Sequence, residues 1–148
     1  MSGPVYIRHA SVKDAAQIAV LSEELGYPTT VKDTISNLTA IDKSNYDVAY
    51  VAVAGELVVG WIHVLYSIRL ESGPFCEIGG LVVSKTIQGK GIGKLLVDKA
   101  IKWVAERNIQ KLRVRSNVIR EGAHAFYLKN GFHEQKQQKV FEYLLPGI

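Results

Sequence analysis

The spacing of apolar residues changes several times along the chain, and each spacing predicts an element. Apolar positions three and four apart predict helices, while runs of β-branched and aromatic residues between turn residues predict strands. Ten elements follow in chain order: a strand from Val5 to His9, helices from Ser11 to Leu25 and from Thr30 to Ile41, strands Val48 to Ala54, Leu57 to Tyr66 and Phe75 to Val83, a helix from Ile92 to Val104, a strand from Leu112 to Ser116, a helix from Glu121 to Lys129 and a closing strand from Val140 to Leu145.

The order β-α-α-β-β-β-α-β-α-β predicts an α/β domain. In it, an antiparallel meander of three strands leads into a β-loop-helix-β unit, whose crossover is expected to be right-handed. The sequence has no low-complexity tract, internal repeat or linker rich in proline, glycine and serine. We therefore expect residues 1–148 to form a single domain.

Composition is that of a globular protein, with 47% hydrophobic and 22% charged residues. No apolar run has the length needed to span a bilayer, and the first residues show no basic segment followed by an apolar one. The single cysteine, Cys76, excludes an internal disulfide and fits a reducing compartment. These features predict a cytoplasmic protein without a membrane partner.

The four histidines, at positions 9, 63, 124 and 133, show no metal-ligand spacing with each other or with Cys76. We therefore expect no metal. The net charge of +4 favours an anionic ligand or partner. Charge alone does not choose between nucleic acid, a phosphorylated small molecule and a solvated surface.

A glycine-rich stretch, Gln88-Gly-Lys-Gly-Ile-Gly-Lys94, stands at the start of the third predicted helix. Backbone amides at a helix N-terminus bind anions, and glycines let a ligand approach them closely. The Walker pattern does not fit, because only three residues separate Gly89 from Gly93 and Leu95 follows Lys94. The dinucleotide pattern does not fit either, since the glycines are spaced G-x-G-x-G and do not directly follow a strand.

Gln88-x-x-Gly91-x-Gly93 resembles the pyrophosphate-binding motif of the GNAT family, the Gcn5-related N-acetyltransferases. The segment from Ala123 to Phe132, AHAFYLKNGF, is similar to that family's A-x-x-F-Y-x-x-x-G-F motif. Both motifs stand in the family's order within a matching order of elements. The resemblance implies transfer of an acetyl group from acetyl-CoA to a primary amine by direct attack.

The resemblance also implies which residues bind the cosubstrate. The amides from Gln88 to Lys94 would hold the pyrophosphate, and the pantetheine arm would lie beside Leu81 to Val83, where two central strands splay apart. The Leu81 amide would polarise the thioester carbonyl. The implied binding residues are Leu81, Val82, Val83, Gln88, Gly89, Lys90, Gly91, Ile92, Gly93 and Lys94.

Gly79-Gly80 precede this segment and are where we expect the bulge that helps the strands to part. Close packing of a neighbouring side chain is the alternative reason for two adjacent glycines in a strand. Most members have an asparagine seven residues before the motif tyrosine, where this chain has Arg120. Asn117 lies ten residues before it, and the sequence leaves open which of the two contacts CoA.

Two residues are implied as catalytic. Tyr127 would give a proton to the departing CoA thiolate, with Phe126 and Phe132 in the core. Glu77 falls where histone-acetylating members carry their general base; strand alternation would place it on the same face as Gly79 and Leu81. Ordered water is the alternative base.

The acceptor is a small-molecule or peptide amine, and the sequence does not identify it. Glu23, Glu24 and Tyr27 would suit a cationic amine, although a solvated helix face is the favoured explanation of the two glutamates. We interpret His124 as structural and expect no covalent catalysis by Cys76. The alternatives are a non-catalytic acyl-CoA-binding module and, less favoured, a nucleic-acid binder. A homodimer is common among similar proteins, but the oligomeric state is left open.

Overall fold

The computed structural model describes residues 4–116 and 121–147. By its contacts the chain divides into two compact units, Met1–Arg115 and Ser116–Ile148. The helices are α1 Ala15–Glu24, α2 Val31–Lys43, α3 Ile92–Glu106 and α4 Glu121–Lys129, and the strands are β1 Val5–His9, β2 Asp47–Ala54, β3 Leu57–Arg69, β4 Gly73–Val83 and β5 Leu112–Val114. Short 3₁₀ turns stand at Val12–Asp14 and Lys85–Ile87.

The predicted α/β class and mixed sheet are confirmed. The five strands lie in sequence order, with β1 to β4 antiparallel and β5 parallel to β4. β5 pairs only with Cys76–Ile78, so the last five residues of β4 extend beyond it. The pairing of β4 with β5 thus stops before Leu81–Val83, as the predicted parting of these two strands requires, but β5 is the edge strand of the described sheet and not a central one.

Helices cover both faces of the sheet. The apolar side chains of α1 and α2 pack on one face in a single cluster formed by Ala15, Ile18, Leu21, Leu38, Val51, Val53, Val58 and Val82. α3 covers the other face, where Leu96 and Ala100 are fully buried. Gly60 of β3 permits this packing, because a Cβ there would come within 3.1 Å of Leu96.

Both predicted helix caps are formed. Ser11 and Asp14 make a reciprocal capping box at the turn before α1, and the Thr30 side chain accepts a hydrogen bond from the Asp33 amide at the start of α2. The strands of the β3–β4 hairpin are longer than predicted, because their pairing continues to Arg69 and Gly73. In this part of the hairpin apolar and polar residues no longer alternate, although the pairing of β3 with β4 continues.

The predicted closing strand, Val140–Leu145, is not formed: residues 132–147 include neither helix nor strand. The apolar side chains of this segment, Val140, Phe141, Tyr143, Leu144 and Leu145, are 78–89% exposed. A strand exists only through hydrogen bonds to a neighbour, and a local pattern cannot supply that neighbour. Among the described helices, none combines the length and apolarity needed to cross a bilayer.

Candidate active site

The glycine loop joins the end of β4 to α3. Ile87 and Ile92 are 5% and 3% exposed and anchor the loop on both sides, whereas the residues between them are exposed. Gly89 and Gly91 have φ of +85° and +81°, and a Cβ on either would meet nothing within 4 Å. The loop therefore presents its backbone to open space in a conformation that favours glycine.

The first turn of α3 lacks a side-chain cap. Gly91 stands at the N-cap position and makes no side-chain cap, and among residues 4–116 and 121–147 no side-chain acceptor is seen for the amides that follow. The first turn also carries no acidic residue. Amides left in this state at a helix N-terminus suit an anionic group such as a pyrophosphate.

Side chains around the loop hold its shape. The Gln88 side-chain amide donates to the Val83 carbonyl at 3.1 Å, which ties the loop back to β4. Lys94 forms an ion pair with Asp98 at 2.8 Å, one helical turn away. Lys90 is exposed at the tip. Gln88 and Lys94 thus engage their own chain with their side chains, while the loop amides remain available.

The end of β4 offers further amides along an open edge. The Ser84 amide donates to Val59 of β3 at 2.8 Å. Along an antiparallel strand, the N–H and C=O groups of successive residues point alternately toward and away from the neighbouring strand. Those of Leu81 and Val83 therefore point away from β3, along the edge of β4 that does not pair with β5. The Val83 carbonyl confirms this direction by accepting from Gln88. Val82 instead packs its side chain in the core and is 2% exposed.

Gly79 and Gly80 form the predicted bulge. In the β3–β4 ladder His63 pairs with Gly80 and Val64 with Ile78, which leaves Gly79 as the extra residue. Close packing, the alternative reason for the glycines, also holds, because a Cβ on Gly80 would come within 2.7 Å of the Trp61 ring. The two glycines therefore serve both the bulge and close packing.

The bulge corrects the expected orientation of one residue. Glu77 pairs with Leu65, and Gly79 faces the His63 and Leu65 side chains, so Glu77 and Gly79 share a face as expected. Leu81 pairs with Ile62 and therefore faces the opposite side. The expectation for Leu81 was wrong because the extra residue reverses the alternation beyond Gly79.

Glu77 is mostly buried, with 19% of its side chain exposed. Its Oε2 lies 3.5 Å from Nε of Arg115, just beyond β5. The sequence gives no sign of this partner, because the parallel pairing of β4 with β5 brings the two residues together from 38 positions apart. Glu77 is thus a paired carboxylate next to the bulge.

The C-terminal end of α1 lies close to the segment that joins β4 to the glycine loop. Glu24 is exposed and accepts a hydrogen bond from the Lys85 amide at 3.4 Å. Glu23 and Tyr27 are also exposed. Ser22 of the same helix accepts from the Trp61 indole at 3.1 Å, which fixes Trp61 over Gly80.

The second unit contains the tyrosine motif. Tyr127 lies on α4, and its ring contacts the rings of Phe126 and Phe132 edge-on, with centroids 5.3 and 5.4 Å away. The helix ends at Lys129; Gly131, two residues later, has a φ of +94°, and the Phe132 amide donates back to the Tyr127 carbonyl at 3.0 Å. His124 lies on the same helix. Asn117 and Arg120 lie outside the described residues, so which of them contacts CoA stays a prediction.

A comparison with protein families decides the class. The sequence profile of the acetyltransferase (GNAT) family matches residues 14–132, a span that includes the glycine loop, the bulge and the tyrosine motif. The chain belongs to the GNAT family. The resemblance found in its sequence is confirmed.

Two curated GNAT relatives match part of the chain. An N-alpha-acetyltransferase, MAK3, of Arabidopsis thaliana is 35% identical over 71 residues, which are 48% of this chain and 36% of the relative. An uncharacterised N-acetyltransferase of Methanocaldococcus jannaschii is 31% identical over 71 residues, covering 48% and 31% respectively. The matched segment thus spans about a third of either relative.

Solved structures share the fold over almost the whole chain. A transcriptional regulator from Bacillus halodurans is 26% identical, with a TM-score of 0.84 and coverage of 95% of this chain and 100% of the other. The aminoglycoside N-acetyltransferase AAC(6')-Iy in complex with CoA is 13% identical, with a TM-score of 0.86 and 97% coverage of both chains. At that identity the second likeness shows the fold alone.

Sequence reasoning missed a hydrogen-bonded group beside the bulge. The His63 ring lies 2.7 Å from Asp47 of β2, and Asp47 also accepts a hydrogen bond from Ser44. The available signal was a histidine inside the otherwise apolar run of β3. Its partner is 16 residues away and becomes visible only with the register of β2 and β3.

Proposed function

We propose that this chain is an N-acetyltransferase that moves the acetyl group of acetyl-CoA to a primary amine by direct attack. The observation that supports this most is the uncapped N-terminus of α3, whose open glycine loop adjoins the exposed edge of β4. A pyrophosphate fits the loop amides and a pantetheine amide group fits the strand edge.

In this proposal the chain binds acetyl-CoA through three groups. The amides from Gln88 to Lys94, including those of Gly89, Gly91 and Gly93, bind the pyrophosphate, and the exposed Lys90 adds positive charge. The outward backbone groups of Leu81 and Val83 pair with the pantetheine arm. Asn117 or Arg120 supplies a further contact with CoA.

The Leu81 amide is proposed to stabilise the oxyanion. Its direction along the open edge supports this role, because a fixed donor must point into the space where the thioester carbonyl would lie. That space is open because the pairing with β5 ends before the bulge at Gly79. Glu77 or ordered water is proposed as the proton acceptor for the amine.

Tyr127 is proposed as the general acid for the CoA thiolate. The motif match and the family profile, which extends to residue 132, support this role. A thiolate is the leaving group of the reaction, and a tyrosine hydroxyl can donate the proton that it needs. The proposed location is the cytoplasm, and the acceptor is a small-molecule or peptide amine.

The match to the relative from Arabidopsis indicates which acceptor amines to test first. Its name describes an N-alpha-acetyltransferase, and its match of 35% covers 71 residues of this chain. We therefore put peptides with a free N-terminus first in a panel of amines, beside the same peptides with a blocked N-terminus and a lysine, polyamines and aminoglycosides. The measurement is release of the CoA thiol, with binding of acetyl-CoA followed separately by calorimetry.

Replacement of Tyr127 by phenylalanine tests the catalytic proposal. We expect Tyr127→Phe to lower kcat about 100-fold without changing the affinity for acetyl-CoA, because in this proposal the hydroxyl gives its proton to the leaving group. Tyr143→Phe is the matched control: Tyr143 is 83% exposed, and its replacement should leave kcat unchanged. A Tyr127→Phe enzyme with full kcat would contradict the assigned role.

A non-catalytic acyl-CoA-binding module is the second candidate. The likeness to a transcriptional regulator from Bacillus halodurans, at 26% identity over nearly the whole chain, favours it. Such a module would bind acetyl-CoA with the same loop and release no thiol with any amine. Binding without release across the whole panel would therefore replace the first proposal with this one.

A further inference from the structure

His63 lies directly opposite the bulge of β4. It pairs with Gly80 in the ladder, and its Nδ1 would lie 2.8 Å from a Cβ placed on Gly79. The imidazole therefore occupies the space that the glycine leaves. This position is one residue from Gly80 and two from Leu81, whose amide is proposed to bind the thioester oxygen.

Asp47 fixes the orientation of this ring. Its Oδ2 lies 2.7 Å from Nε2 of His63, and its Oδ1 accepts a hydrogen bond from Ser44 Oγ at 2.8 Å. Ser44 in turn accepts from the Tyr46 amide at 3.0 Å. Both oxygens of Asp47 are thus engaged, and the carboxylate is held in place from two sides.

The pairing also selects the tautomer of His63. An ionised carboxylate only accepts hydrogen bonds, so the hydrogen of the neutral ring must be on Nε2. Nδ1 then carries a lone pair, and Nδ1 is the atom of the ring nearest to a Cβ placed on Gly79. A histidine oriented by a carboxylate, with its other nitrogen free to accept a proton, is the arrangement of a general base.

His63 and Asp47 are both partly exposed. A quarter of the side chain of His63 and of Asp47 is exposed, at 25% and 24%. The carboxylate of Glu77, unlike the imidazole of His63, faces a cationic group, the guanidinium of Arg115. Of these two side chains beside the bulge, His63 is the one whose accepting atom faces a glycine.

We propose that His63, in place of Glu77 or ordered water, is the group that takes the proton of the attacking amine, and that Asp47 is its positioning residue. This inference rests on the proposed acetyl transfer. As the amine nitrogen bonds to the acetyl carbon, one amine proton passes to Nδ1 of His63. The carbon–sulfur bond breaks, and the CoA thiolate takes a proton from the general acid. His63 then returns its proton to solvent, and the general acid regains a proton from solvent.

Kinetics of three variants test the role. His63→Gln keeps a donor for Asp47 but cannot accept a proton, so we expect kcat to fall about 100-fold with the KM for acetyl-CoA unchanged. Asp47→Asn should lower kcat by a smaller factor, again without a change in that KM. His133→Ala, at an exposed histidine of the second unit, is the control and should keep wild-type kcat.

Chemical rescue separates a base from a structural residue. His63→Ala removes the ring beside Gly79, and added imidazole should restore kcat in proportion to its concentration. The same imidazole should not affect Tyr127→Phe. A folded His63→Gln enzyme with wild-type kcat, or a loss that appears only in the KM for acetyl-CoA, would overturn the inference.

A measurement without substrate completes the test. In protein labelled with ¹⁵N-histidine, we expect the neutral His63 ring to show a protonated Nε2 and an unprotonated Nδ1, and Asp47→Asn to change this ratio. The opposite tautomer in the wild-type protein would reject the inference, even if the variants fail to fold. Wild-type protein that releases no thiol with any amine would instead reject the proposed transfer.

Discussion

Cys76 is the only thiol of the chain, and its surroundings predict that it is inert. The residue is fully buried in β4, and burial raises the pKa of its thiol above the ordinary value. A raised pKa lowers the fraction of reactive thiolate, and burial blocks the approach of a reagent. Both effects argue against Cys76 as a nucleophile.

We expect Cys76 to react with an aromatic disulfide reagent only after unfolding. The measurement compares labelling in buffer with labelling in concentrated denaturant, where one thiol per chain should be found. Rapid labelling of the folded protein would show that β4 opens locally. An inert Cys76 also means that colour in a thiol-release assay comes from CoA.

Single residues show where sequence reasoning reaches its limit. Gly79 and Gly80 could be predicted as a bulge, because glycine inside a strand weakens regular pairing and often marks one. The side to which Leu81 points follows from that bulge, because an extra residue at either Gly79 or Gly80 reverses the alternation before Leu81, and the expected shared face assumed a regular strand. The pairing of His63 with Asp47 depends instead on strand register.

At the scale of elements, an ion pair joins β1 to the turn before α1. Asp14 is 4% exposed, accepts two hydrogen bonds from Arg8 at 2.8 Å and accepts another from the Ser11 amide. The Arg8 guanidinium holds the pKa of the Asp14 carboxyl below its ordinary value. The ionised carboxylate therefore contributes to folding.

We expect Asp14→Asn to lower the free energy of unfolding by about 2 kcal/mol at pH 7. Breaking a fully buried pair costs about 3–5 kcal/mol, and the 39% exposure of Arg8 reduces this. Because the folded pKa is lowered, the contribution is complete above the ordinary Asp pKa of about 3.9 and is lost as the pH falls below it.

Urea unfolding at several pH values measures this contribution. The difference between wild type and Asp14→Asn should shrink as the pH falls below about 4. Asp33→Asn is the control, because Asp33 holds the same third position in α2 but is exposed. A constant difference across pH would show that the charge of Asp14 is unimportant.

Whole elements were predicted well where local signals specify them. The capped starts of α1 and α2, the bounds of α4 and the glycine beyond its end all follow from side chains near in sequence. The prediction of the closing strand failed because residues 140–145 have the apolar and aromatic composition of a strand but do not pair in the described structure. The extension of the β3–β4 hairpin was missed because these residues lack the sequence pattern of a strand and yet pair with each other.

At the scale of the whole molecule, binding and folding are linked. A ligand that binds only the folded state raises its stability, by about 2.7 kcal/mol at one hundred times the dissociation constant. For a chain of 148 residues this corresponds to a rise of about 5–10 °C in Tm. The family profile covers residues 14–132, and whether all 148 residues form one domain stays a prediction.

Acetyl-CoA is therefore expected to raise the Tm of the wild-type protein, and two glycine variants locate its site. Gly91→Ala and Gly73→Ala place alanine at nearly the same φ, +81° and +79°, with open space around each Cβ. The backbone strain is about 1–2 kcal/mol at either position, so both variants should lose similar Tm without ligand.

Their response to acetyl-CoA should differ. Gly73 begins β4 and the loop follows its end, so the two sites are separated by an 11-residue strand, or about 35 Å. Gly73→Ala should keep the full rise in Tm, whereas Gly91→Ala should lose most of it because the strained loop misdirects its amides. Equal rises in both variants would place the CoA phosphates elsewhere, since strain alone changes stability without changing its dependence on ligand.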